Sequence, residues 1–143
     1  MRTKQDVLDQ LVFNVGLEVE QAEDLYESAR KYMGYKTEKG VELPKEADAV
    51  AFVLGFGGAK EEFVFTYGES PKHVFNGGWT VVEAQSMGIA EALFFQRHPK
   101  KGGKNYAACY PEDEWDKTFY PIGKQGNYGK FEMERIVQPN MAQ

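Results

Sequence analysis

The spacing of apolar residues changes period partway along the chain, and that change limits what the chain can fold into. Between Lys4 and Met33 the apolar residues recur at helical intervals. Val7, Leu8, Leu11 and Val12 form one run, and after Gly16 the residues Ala22, Leu25, Tyr26, Ala29, Tyr32 and Met33 form another. Between Glu61 and Tyr67 the period falls to two, with Phe63, Phe65 and Tyr67 on one face and Glu62, Val64 and Thr66 on the other. Helical first and extended later, the pattern predicts an α+β fold.

The two helical runs predict an N-terminal helical hairpin over 1–34. Arg30 and Lys31 stand near the end of its second helix and Gly34 just past it, where cations and a glycine cap belong. Residues 35–47 read as a polar connector. "DAVAFVLGF" is continuously apolar from Ala49 to Leu54, which predicts a central strand covered on both faces. "GGAK" would turn it into the alternating strand at 61–67. "HVF", "NYAACY", "KTFY" and "YGKFEMERIV" read as further strands. Thr80 and Glu83 fit a capping box, and Pro99 restricts His98, so one helix is predicted from Thr80 to about Arg97. Along it Ala84, Gly88 and Ala92 would form a smooth ridge beside a bulky one of Val82, Ile89 and Leu93. The expected architecture is a single domain over 1–143. It has the hairpin, the connector, an antiparallel sheet of five or six strands with one central helix over 48–137, and a polar tail at 138–143.

Composition excludes more than it identifies. A net charge of −5 opposes binding to nucleic acid, whose affinity comes chiefly from lysine and arginine on phosphate. The hairpin superficially suggests helix-turn-helix, but its second helix carries Glu18, Glu20, Glu23, Asp24 and Glu27, so DNA is not an expected partner. Cys109 is the only cysteine, which forbids an internal disulfide and fits a reducing, cytoplasmic setting. With only His73 and His98 beside it, ligands for a zinc site are lacking, and neither a metal nor a cofactor is expected. "MRTKQDVLDQ" has no apolar core of the kind a secretory signal carries, and no run approaches 18 apolar residues, so no membrane span is expected.

Two charge clusters are the candidate sites. Residues 70–104 are the only quarter of the chain with a basic surplus, five Lys plus Arg against two Glu. Arg97, His98, Lys100, Lys101 and Lys104 surround a glycine pair there, and backbone amides among cations can hold a phosphate or carboxylate. The second cluster, "YPEDEWD", sets Glu112, Asp113, Glu114 and Asp116 around Trp115. It lacks the ligand spacing of a calcium loop and suits a contact with a protein partner. "LGFGGAK" fails as a phosphate loop because Lys60 is followed by Glu61 and a strand pattern, not by Ser or Thr and a helix. Cys109 with His98 could form a nucleophile and base, although Cys109 lies in an apolar strand pattern that suits a buried thiol.

The leading expectation is a non-enzymatic interaction protein, either a subunit of a larger assembly, with itself or another protein, or an inhibitor-like binder. Small virus- and phage-encoded assembly proteins share this scarcity of motifs. The alternative is a binder of a small anionic ligand, nucleotide-like, on the 97–104 loop. A third is a small hydrolase or transferase using Cys109 or the acids at 112–116.

Overall fold

The computed structural model describes residues 1–35, 38–67, 78–99, 106, 108–111 and 132–139. They belong to two compact units, Met1–Ala59 with Pro139, and Lys60–Gln138. The class is α+β, with four helices and a four-stranded mixed sheet among the described residues.

The first unit is helical. Helix α1 (Lys4–Asp9) starts at a Thr3 cap, whose amide donates to Asp6 Oδ2 at 2.9 Å while Asp6 N–H donates back to Thr3 Oγ1 at 3.2 Å. It runs on into a π-helical turn, Gln10–Asn14, and Gly16 follows at φ 88°. Helix α2 (Val19–Tyr32) ends as expected at Gly34. With φ 85°, Gly34 donates to the Lys31 carbonyl at 2.9 Å, and Tyr35 donates to the Arg30 carbonyl at 3.2 Å, a paired closure of the last turn.

Residues predicted as a central strand form a third helix, α3 (Glu46–Val53). Ala47, Val50, Ala51 and Leu54 are buried at helical spacing, while Phe52 is 82% exposed, which a strand covered on both faces could not allow. Short apolar runs do not separate buried strand from buried helix; here three alanines and the acids Glu46 and Asp48 in the first turn favour the helix. Gly55, just before the glycine pair read as a hairpin turn, closes α3. Gly55, at φ 80°, donates to the Phe52 carbonyl and Phe56 to the Ala51 carbonyl, each at 3.0 Å.

The connector is tied down from below. Arg30, 3% exposed, donates through Nη1 to the Glu38 carbonyl at 3.0 Å and through Nη2 to the Val41 carbonyl at 2.5 Å. Its Nε donates to Glu46 Oε1 at 2.7 Å, and Tyr26 donates to Glu46 Oε2 at 3.2 Å. One guanidinium thereby joins α2, the connector and the start of α3.

The second unit is a sheet ordered β3-β1-β2-β4, from strands β1 (Glu61–Thr66), β2 (Trp79–Ala84), β3 (Ala108–Pro111) and β4 (Glu132–Val137). β1 pairs antiparallel with β2 and with β3, but β2 and β4 are parallel, so the sheet is mixed and not antiparallel throughout. Parallel neighbours need a long crossover, and α4 and β3 come between β2 and β4. The expected strands "HVF" and "KTFY" lie outside the described residues.

Helix α4 spans Met87–Arg97, ending where Pro99 predicts but beginning seven residues later than Thr80. The Trp-Thr-Val-Val run at 79–82 is rich in aromatic and β-branched residues and pairs as a strand, so the Thr80–Glu83 box is not a helix cap. Ser86 caps instead, its hydroxyl accepting from Ile89 N–H at 3.3 Å. Ala84 and Val82 are therefore strand residues, and the two ridges of the predicted helix do not exist as such.

The expected alternation along β1 is present. Phe65 meets Phe94 of α4 at 4.5 Å between ring centroids and Tyr106 at 5.0 Å. On the opposite face Val64, Trp79 and Val81 cluster with Tyr110, beside an ion bridge from Arg135 Nη1 to Glu62 at 2.5 Å and Glu83 at 2.7 Å. Gln138, expected in a polar tail, is fully buried. Its amide donates to the Glu83 carbonyl at 2.8 Å, and its side-chain oxygen accepts from Gln85 N–H at 2.8 Å.

Candidate functional site

The first candidate lies in the helical unit. The π turn gives a wider coil than an α-helical one, with Val15 N–H bonded back five residues to the Gln10 carbonyl at 3.1 Å. Leu11 within it and Val15 just after it stay buried, while Phe13 projects outward with 78% of its surface exposed. At the start of α2, Val19 is 65% exposed. Between them is a cleft of about 230 Å³ lined by Gln5, Leu8, Val12, Phe13, Val19 and Ala22. Isolated exposed apolar residues mean little, but here two border one concavity with an apolar floor.

Asp9 and Glu23 complete the lining. Asp9 accepts from the neutral amide of Gln5 at 2.7 Å. Glu23 lies 3.5 Å from Lys4 Nζ, but that one ammonium also serves Glu27 at 3.6 Å. Glu23 thus shares its cation with Glu27 and Asp9 meets an uncharged amide, so the rim is acidic.

The second candidate gathers two of the residues expected in the basic site. Arg97 ends α4 and His98 follows it, and both reach Glu134 of β4. Arg97 Nη1 is 3.5 Å from Glu134 Oε2, and His98 Nε2 hydrogen-bonds Glu134 Oε1. Thr80 donates to the same Oε1 at 3.3 Å and shares a 2.5 Å hydrogen bond with Tyr67. A bulge positions the carboxylate: the β2–β4 register slips between Trp79, opposite Glu132, and Thr80, opposite Glu134. The extra residue sets Glu134 and Ile136 beside Thr80 and Val82. The His98 ring packs 4.8 Å from Phe94 and 6.2 Å from Tyr67. Burial raises the Tyr67 phenol pKa; the Thr80 hydrogen bond opposes this and the Glu134 charge adds to it. Chemically the arrangement fixes an imidazole and screens a carboxylate.

Lys100, Lys101 and Lys104 lie outside the described residues, as do Glu112, Asp113, Glu114, Trp115 and Asp116 of the acidic turn. Cys109 sits half-buried on β3 opposite Phe65. Among the described residues no group of three or more His, Cys, Asp or Glu could hold a metal ion, and no helix is long and apolar enough to cross a membrane.

Sequence reading overlooked Phe13, Val19 and Glu134. Phe13 was legible as an apolar residue off the buried stripe, and Glu134 as an acid two residues from Ile136 on a strand face. Comparison of this chain with protein-family models, curated proteins and solved structures finds no match.

Proposed function

We propose that this chain works by binding another protein, as a subunit of an assembly or an inhibitor-like binder, with the α1–α2 cleft as the contact. The observation that carries this reading is Phe13, a large aromatic held 78% exposed beside an apolar cleft. Covering Phe13 and Val19 would contribute roughly 3 to 5 kcal/mol to an association, and buried aromatics are the usual anchors of interfaces. A cleft of about 230 Å³ is smaller than the roughly 300–1,000 Å³ typical of small-molecule sites, and it suits a side chain better than a nucleotide. The anionic-ligand alternative is less well supported, because Glu134 already pairs with Arg97 and hydrogen-bonds His98. The acidic turn around Trp115 is a second contact within this proposal, to be tested by Trp115→Ala.

The test is affinity capture from the cells that make the protein, comparing the native chain with a Phe13→Ser/Val19→Ser variant. Phe52→Ser serves as the control, because Phe52 is equally exposed but on α3. A partner held by the native chain and the control but lost from the double variant supports the reading. Capture of the same proteins by all three counts against it.

A further inference from the structure

Resting on the α1–α2 cleft as a protein contact, we infer that its occupant is a segment presenting one bulky apolar side chain flanked by lysine or arginine. The apolar part follows from the lining: Leu8, Val12 and Ala22 form the floor, with Phe13 and Val19 at the edges. The basic flanks follow from charge. Asp9 is met only by a neutral amide in the bonds above, and Lys4 is divided between Glu23 and Glu27. The exposed Glu20 extends the acidic surface along α2.

A neutral apolar segment would fill the cleft but leave those carboxylates partly desolvated and unanswered. An acidic one would be repelled. An anionic membrane surface, which also takes up exposed aromatics, would meet the same repulsion. A cation on each side of the apolar anchor answers Asp9 and Glu23 together, and such complementarity sets both register and partner choice.

The experiment is a titration of the isotope-labelled full chain with two synthetic helical peptides of about 14 residues. They share one leucine pattern and differ only in carrying lysine or glutamate at every polar position. The leucine–lysine peptide is expected to shift the resonances of Leu8, Val12, Val19 and Ala22. Asp9→Asn with Glu23→Gln should weaken it about five-fold, as two part-exposed ion pairs would. Phe13→Ser with Val19→Ser should weaken it more than about ten-fold. Glu61→Gln, an exposed acid on β1, should leave it unchanged.

Equal binding of the leucine–glutamate peptide at the same resonances would overturn the basic flanks while leaving the cleft a protein contact. Shifts that avoid the cleft, or none with either peptide, would overturn the inference, and the Phe13-dependent capture then decides the contact reading separately. Broadening of cleft resonances on raising the protein concentration alone would name a second copy of this chain as the occupant, and would also overturn it.

Discussion

Replacing Glu46 with alanine should destabilise the helical unit far more than an average substitution. The Glu46 carboxylate is fully buried and accepts from Arg30 Nε at 2.7 Å and from the Tyr26 hydroxyl at 3.2 Å. Both bonds end on the carboxylate, and at about 1.5 kcal/mol each about 3 kcal/mol is lost. That is the low end of the roughly 3–5 kcal/mol expected when a buried pair loses one member. The low end fits because Glu27 and the Glu38 and Val41 carbonyls still hold the guanidinium. With a urea slope of about 1.5 kcal/mol/M, the midpoint should fall by about 2 M, followed through the helical circular dichroism signal. Glu46→Gln keeps one carbonyl oxygen, enough to accept from Arg30 Nε but not from the Tyr26 hydroxyl as well, and should lose about half as much. Glu46→Met combined with Arg30→Met should recover most of the loss, since an apolar pair leaves no charge behind. A midpoint shift below about 0.5 M for Glu46→Ala would mean that the buried carboxylate contributes little to the helical unit.

Gly34→Ala should cost about 1 kcal/mol by the same titration. Its φ of 85° is the whole cause, because nothing lies within 4 Å of an added Cβ, and a neutral result would contradict that cause. Ser86→Ala should cost about 1 kcal/mol through the lost cap of α4, seen as fraying of its first turn in amide exchange; protection unchanged there would count against it. Alkaline conditions should destabilise the fold. The phenols of Tyr26, Tyr67 and Tyr106 all have raised pKa values, through burial first, then carboxylates at Tyr26 and Tyr106. A raised value means the folded state binds the proton more tightly. The contribution is therefore complete below the ordinary value of 10.0 and is lost as pH climbs beyond it. Unfolding midpoints at pH ~8 and pH ~11 check this, and equal midpoints would contradict it.

The sequence was most legible where one local signal had one structural meaning. Gly34 needs a left-handed backbone and closes α2, and the strict alternation of Phe63, Phe65 and Tyr67 has no helical solution. Legibility failed where two physical readings share one pattern. The run Ala49–Leu54 is equally apolar as strand or helix, and the acids that favour the helix, Glu46 and Asp48, stand before it, Glu46 meeting Arg30 sixteen residues away in sequence. Thr80 and Glu83 satisfy the spacing of a capping box, yet pairing with β1 takes those residues into the sheet. The candidate sites divide the same way. Arg97 and His98 were identifiable by type, but their partner Glu134 depends on a strand bulge that no local spacing announces. Phe13 stands off the buried stripe in the sequence, but its place beside the cleft comes with the π turn.

Phe13 is proposed to lie at a protein contact. A photo-crosslinking residue placed at position 13, in cells that make the protein, measures this most directly, with position 52 as the equally exposed reference. The account predicts one dominant crosslinked species from position 13 and little from position 52. No crosslink at 13, or the same species from both positions, would contradict it.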